Sequence, residues 1–94
     1  MVPILDRPQH VPADPGDLSL KALAWILSDS SRAHRLLDLT GLTPEVLRTG
    51  LARPEVQGAI LDFLCAHEPD LIAAADEMGM DPADLAAARG RLGA

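Results

Sequence analysis

The sequence predicts an all-α protein, a compact bundle of about six short helices. Apolar residues recur at spacings of three and four, and no segment alternates apolar and polar residues as a half-buried strand would. Prolines and glycines divide the chain into short segments. Aromatic residues make up only 2% of the 94 residues, so the core must be aliphatic. A chain of this length buries about 60 to 65% of its unfolded surface, which suffices for one domain without metal or disulfides.

The chain divides into a tail and a body. Residues 1–16 hold four prolines and a glycine, a density that denies a helix its hydrogen bonds and a sheet its ladder. We therefore expect a flexible, proline-rich N-terminal tail over 1–16 and a single helical domain over 17–94.

The first half of the body predicts three helices. Helix 1 is expected over 18–29, with Asp17 as its cap. Its apolar residues are spaced for a helix with a wide inner face. The segment "SSRAHRLLDLTG" restarts with serine caps and ends at Gly41, which can close a helix in the left-handed conformation. Thr43 then caps a short third helix, which begins at a proline and stops near Gly50.

The second half predicts three more helices. Pro54 begins a fourth helix, nearly apolar all round, which ends before Pro69. Pro69 lies in the first turn of the fifth helix, and Gly79 stops it. Asp81 caps the sixth helix, with Pro82 at its first position.

A helix-to-helix corner is written twice. "TGLTPEVL" at 40–47 and "MGMDPADL" at 78–85 are separated by an offset of 38 residues. The matched positions have distinct physical roles, since glycine reverses the chain, an oxygen caps the next helix and proline starts it. We interpret the offset as two pseudo-repeated three-helix units, with Trp25 and Phe63 in a shared core. The alternative is that two unrelated helix corners look alike, because this corner chemistry is common.

The segments "ALAWILSD", "LLDLTGLTPEVLR", "AILDFLCAHE" and "GMDPADLAAARGRL" together resemble a bacterial family of small all-helical proteins classed as a domain of unknown function. The resemblance covers roughly 18–92. It implies a compact helical protein and brings no activity, cofactor or catalytic residue with it.

A metal site is the first chemistry to consider, because Cys65, His67, Glu68 and Asp70 lie close together in the chain. Their spacing argues against it. Cys65 and His67 are two residues apart and would project about 200° apart on a helix. We expect no metal site.

Catalysis is not indicated either. The neighbouring carboxylates Asp76 and Glu77 diverge on a helix, whereas general acid–base work needs convergent groups. The serines near residue 30 are explained by capping, and no glycine-rich phosphate loop is present. We expect that the protein is not an enzyme and needs no cofactor.

Charge is distributed unevenly along the chain, whose net charge is −6. Residues 32–53 carry a local net charge of +2, whereas residues 54–94 carry −6. The arginines of the first stretch form the candidate interaction surface: Arg32, Arg35, Arg48 and Arg53.

Two functions follow from this pattern. The favoured one is a protein–protein interaction or adaptor module that binds an unknown protein or a second copy of itself. The alternative is nucleic-acid binding through a helix-turn-helix-like segment at 31–51. It is less favoured, because the second helix is short and offers few groups for bases or phosphates.

Location follows from the single cysteine and the N-terminus. One cysteine cannot form an internal disulfide, and the chain shows neither a secretory signal nor an apolar stretch long enough to span a bilayer. We expect an acidic cytoplasmic protein.

Overall fold

The structure of the protein is a computed structural model that describes residues 14–92. Within this range the chain forms six α-helices and no strand, as predicted. The helices are α1 (Pro15–Leu27), α2 (Ser30–Thr40), α3 (Pro44–Gly50), α4 (Pro54–Cys65), α5 (Glu68–Met78) and α6 (Pro82–Arg91).

The first helix begins three residues earlier than predicted. Asp14, not Asp17, is its cap: the Asp14 carboxylate accepts a hydrogen bond of 3.1 Å from the backbone N–H of Asp17. Pro15 stands in the first turn, where its missing N–H costs nothing. The end of the predicted tail is therefore helical, and residues 1–13, which hold the rest of the predicted tail and His10, lie outside the described residues.

The second helix is capped by a different residue from the one expected. The Asp29 carboxylate, rather than a serine, accepts the N–H of Arg32 at 3.0 Å. Asp29 has extended backbone angles, so the chain leaves α1 and starts α2 after only two residues. The pKa of Asp29 lies below its ordinary value, chiefly because the carboxylate accepts this backbone hydrogen bond.

The two repeated corners have the predicted geometry. Gly41 and Gly79 both adopt the left-handed conformation, with φ of 76° and 69°. Thr43 accepts a hydrogen bond from the backbone N–H of Val46, and Asp81 accepts one from Ala83. Both corners thus close one helix and cap the next with the residues the sequence indicates.

The core is aliphatic and is organised around α4. This helix packs against α1, α2, α5 and α6, and half of its residues are buried, which confirms its predicted broad apolar face. Phe63 is buried, whereas Trp25 packs against the same core from its edge and is only half-buried. The fully buried large side chains are Ile26, Leu36, Ile60, Leu61, Leu64 and Leu85.

The two halves are not packed alike. Helix α6 lies against α1, α4 and α5, whereas α3, at the matching place in the first half, makes the fewest close approaches among the helices of residues 14–92. The interpretation as two repeated units stays a prediction, since similar corners lead here into differently packed helices.

The longest helix in residues 14–92 is α1, with 13 residues. A bilayer-spanning helix needs about 20 apolar residues. No helix in the described part of the chain could cross a membrane.

Candidate functional site

The predicted arginine surface is divided by the fold into two pairs with different surroundings. Arg32 and Arg35 lie on α2 and are engaged with neighbouring helices. Arg48 and Arg53 lie on α3 and just before α4, and both side chains are more than half exposed.

Arg32 holds the junction between α1 and α2. Its Nη2 donates to the backbone carbonyl of Trp25 at 2.7 Å and to the Ser28 hydroxyl at 2.9 Å. Its guanidinium carbon lies 3.7 Å from the centroid of the Trp25 ring, a cation–π contact. The Trp25 carbonyl belongs to the last turn of α1 and also accepts from the Ser28 hydroxyl at 2.6 Å, so Arg32 adds a donor from α2 to this helix end.

Arg35 connects α2 to α5. Its Nη2 donates to the Asp70 carboxylate, whose side chain is only 13% exposed, and its guanidinium carbon lies 5.6 Å from the Phe63 ring centroid. Nδ1 of His67 lies 3.0 Å from the same oxygen of Asp70. These contacts hold α2 against the start of α5.

Arg48 and Arg53 are paired only with acids near them in the chain. Nη2 of Arg48 lies 3.7 Å from Oε1 of Glu45, and Nη2 of Arg53 lies 2.9 Å from Oε2 of Glu55. Such exposed pairs contribute little to stability. The pKa of Glu55 is lowered by a hydrogen bond from its own backbone N–H and by Arg53. Both arginines can therefore exchange their acids for an outside partner at little cost.

A groove between α1 and α3 is lined almost entirely by apolar side chains. We call it the leucine groove; it has a volume of about 310 Å³. Its lining is Leu23, Leu27, Leu37, Pro44, Leu47, Arg48 and Leu51. Arg48, from the predicted arginine surface, is the charged member of this lining.

The leucine groove exists because α3 stands away from α1. The last turn of α3 is held elsewhere: Gly50 is buried against Val56, and the Gln57 amide donates to the carbonyl of Leu51 at 2.8 Å. Leu47 is 9% exposed and lies inside the groove, whereas Leu27 is 49% exposed at its edge. The groove thus offers partly solvated leucines rather than a closed core.

Sequence reasoning predicted a wide apolar face for the first helix but missed the groove. One signal was available. Leu20, Leu23 and Leu27 follow one another at spacings of three and four, and they extend the apolar face of α1 beyond what one layer of neighbours covers. Leu20 and Leu27 are the exposed members of this stripe.

Two other depressions are less suited to an apolar ligand. A shallow cleft of about 640 Å³ between α1 and α5 mixes charged and apolar side chains, among them Lys21, Trp25 and Glu77. A depression of about 320 Å³ between α2 and α4 includes Leu39, which is 71% exposed, and Asp62.

The residues considered for metal binding do not form a ligand cluster. Within residues 14–92 no three histidine, cysteine or carboxylate side chains converge. Partial desolvation raises the pKa of the Cys65 thiol, and the nearby Asp62 carboxylate raises it further. The thiol is therefore protonated at neutral pH and is a weak nucleophile.

The segment at 31–51 consists of α2, a three-residue connection and α3. The exposed side chains of α3 include Glu45, Arg48 and Thr49. The Thr49 hydroxyl donates to the carbonyl of Glu45 at 3.0 Å, and Arg48 is paired with the Glu45 carboxylate. These groups contact their own helix, and Glu45 adds a negative charge to the face that would meet phosphates.

The fold defines a class of protein: a small all-helical domain whose most distinctive surface is an apolar groove. The chain belongs to the family described as "Protein of unknown function (DUF3572)", whose model matches residues 12–94. This match confirms the resemblance seen in the sequence. No curated protein and no solved structure matches the chain.

Proposed function

We propose that this protein is a protein–protein interaction module and that its partner binds in the leucine groove. The observation that supports the proposal is the groove itself, an apolar depression between two helices with half-exposed Leu27 at its edge. Apolar grooves between helices are a common way to bind an amphipathic helix. An interaction module of this kind needs no catalytic group, and a non-enzymatic role is part of the proposal.

Arg48 connects this proposal to the predicted arginine surface. Its side chain is 67% exposed, and it lines the groove beside five leucines. A charge at the edge of an apolar groove orients a partner and selects against partners of the same charge. Arg32 and Arg35 do not line the groove; Arg32 fixes α2 to the end of α1, and Arg35 links α2 to α5.

We also propose that the protein acts in the cytoplasm. Its single cysteine is exposed in the structure, which suits a compartment that keeps thiols reduced.

The test is partner capture with matched variants. Tagged wild-type protein, Leu27→Gln and Leu39→Gln would be used to capture proteins from the native cells, with and without nuclease, and the captured proteins would be quantified by mass spectrometry. Both substitutions replace an exposed leucine by a polar side chain of similar size, but only Leu27 lines the groove. We expect one protein to be captured by the wild type and Leu39→Gln, and lost with Leu27→Gln.

Two results would contradict the proposal. Identical captured proteins for all three forms would show that the groove binds nothing. Recovery of nucleic acid that nuclease removes would instead favour the segment at 31–51 as a nucleic-acid interface.

A further inference from the structure

The leucine groove has the form of a site for one helix. Leu23 and Leu27 of α1 lie on one side, and Leu47 of α3 and Leu51, the residue that follows α3, lie on the other. On each side the two leucines are four residues apart, and Leu51 keeps helical backbone angles, so each pair lies along one face. A helix laid between them would insert side chains spaced three and four apart.

The chain itself presents such a helix. On α5 the exposed residues Pro69, Ile72, Ala73 and Asp76 are spaced three, four and seven apart and form one face. Ile72 is 49% exposed at the centre of this face. The opposite face of α5 is buried through Ala74 and Ala75, so Ile72 points outward.

The charges of the two surfaces are complementary. Arg48 lines the groove, and its intrachain partner Glu45 is 3.7 Å away and 76% exposed, so this pair is weak. The exposed face of α5 carries an acidic side chain on either side of Ile72, namely Glu68 and Asp76, each four residues from it. Opposite charges at the edge of a small apolar contact fix its orientation and register.

On these grounds we infer that the leucine groove is filled by the exposed face of α5 from a second copy of this chain. The inference rests on the proposed function and names the partner. Helix α5 packs against α1, α4 and α6 of its own copy, so it can reach a groove only on another molecule. Because the groove and the α5 face are different surfaces, the contact is head to tail.

A groove of about 310 Å³ accommodates only a few side chains. We expect the contact to bury less than the roughly 1,000 Å² that a stable interface needs, so association should be weak and depend on concentration. Head-to-tail contacts continue until a ring closes or a chain grows. We expect monomers at low micromolar concentration and larger species as the concentration rises toward millimolar.

The test is sedimentation velocity of the full chain over this concentration range. Wild type and Leu39→Gln should associate, whereas Leu27→Gln and Ile72→Gln should remain monomeric. Both test positions are half-exposed in the monomer, and circular dichroism checks that each variant is folded. Leu39→Gln is the matched control, because Leu39 is exposed but belongs to neither surface.

Mixing the two broken variants tests the head-to-tail geometry. Leu27→Gln keeps an intact α5 face, and Ile72→Gln keeps an intact groove. An equimolar mixture therefore has one working contact per pair and should form a dimer that grows no further. A mixture that stays monomeric while the wild type associates would overturn the inference.

A charge exchange gives a second test that leaves the apolar contacts unchanged. Arg48→Glu should weaken association at least about tenfold, and adding Asp76→Arg to the same chain should restore much of it. Arg53→Glu is the control, because Arg53 is exposed to a similar extent but does not line the groove. Equal weakening by Arg48→Glu and Arg53→Glu would overturn the specific contact.

The outcomes separate this inference from the proposed function. A wild type that stays monomeric at every concentration overturns the inference. If the wild type then captures a different protein that Leu27→Gln does not, the proposed function stands without self-association. If no protein is captured either, both fail.

Discussion

The two corners at 40–47 and 78–85 are nearly identical in local structure, yet they lead into helices with different surroundings. Each corner has a glycine with positive φ, a side-chain oxygen that caps the next helix and a proline in that helix's first turn. After the second corner, α6 buries Leu85 and Ala88 completely. After the first, α3 leaves one side open as the leucine groove.

The difference comes from the residues that follow each corner. Helix α6 continues through a run of alanines, whose small side chains allow close approach to α4 and α5. Helix α3 carries Arg48 and Thr49 in the corresponding turn and ends at Gly50 after seven residues. Local corner chemistry therefore sets where a helix begins, and the later side chains set how closely it packs.

The largest expected effect is a difference in stability between alanine substitutions of Leu85 and Leu47, the buried leucines that follow the two corners. Leu85→Ala should reduce the free energy of unfolding by about 2–5 kcal/mol, because a fully buried side chain leaves a cavity. Leu47→Ala should cost less than about 2 kcal/mol, since Leu47 lines an open groove. Urea unfolding measures both values. Equal losses would mean that α3 is packed as tightly as α6.

The corner glycines should behave alike, in contrast to the leucines. Gly41→Ala and Gly79→Ala should each cost about 1–2 kcal/mol, because a side chain strains the left-handed backbone. No atom lies within 4 Å of an added Cβ at either site, so crowding contributes nothing.

Gly90→Ala is the control for the glycine pair. It also has free space around an added Cβ, but its φ is not positive, and alanine should be neutral or stabilising by up to about 1 kcal/mol. Thermal unfolding distinguishes the three variants. A loss at only one corner would show that the corners are not equivalent.

Removing the helix caps should reveal the difference in packing between α3 and α6, with smaller changes in free energy than the leucine substitutions. Asp81→Ala should lower the free energy of global unfolding by about 1 kcal/mol, because α6 is part of the core. Thr43→Ala should instead increase local opening of α3, which is seen as faster amide hydrogen exchange there. Thr43→Ser keeps the hydroxyl, so it should change neither the free energy of global unfolding nor the hydrogen exchange of α3. Global destabilisation by Thr43→Ala would place α3 in the cooperative core.

The smallest effect concerns pH at the start of α2. The pKa of Asp29 is lowered by its hydrogen bond from the backbone of Arg32. Its contribution is therefore present above the ordinary carboxyl pKa of about 4 and is lost as the pH falls through the lower folded value. The neutral Thr43 cap shows no such dependence.

Amide hydrogen-exchange protection factors in the first turn of α2, compared between pH 6 and pH 3, measure this loss. Asp29→Asn keeps an oxygen that can accept the hydrogen bond but does not titrate in this range. The pH dependence should therefore be smaller in this variant. An unchanged dependence would assign it to another carboxylate.

Much of the fold could be predicted because it rests on short-range chemistry. Glycine at 41 and 79, and proline at 44 and 82, act within one turn of the chain, so sequence alone locates these helix ends. The start of α1 differs from its prediction for a related reason. Pro15 would break a helix interior but is well tolerated in a first turn, and the sequence does not show which position it occupies.

The candidate site was only partly predictable. Arg48 was named from its charge, but the leucines beside it look like core residues in sequence. Arg32 and Arg35 also looked free, although they contact Trp25 and Asp70 from other helices. Such contacts join residues that the chain alone does not bring together.

By itself the sequence determined an all-helical, aliphatic domain, with the six short helices and the two similar corners found over residues 14–92, because caps, helix-ending residues and apolar spacing act within a few residues. Only the tertiary structure decided that α6 is packed into the core and that α3 stands apart. The physical reason is that burial depends on the fit between side chains distant in the chain. That fit leaves Leu27 exposed and Leu51 half-buried along the leucine groove, while Leu23 and Leu47 lie buried at its base.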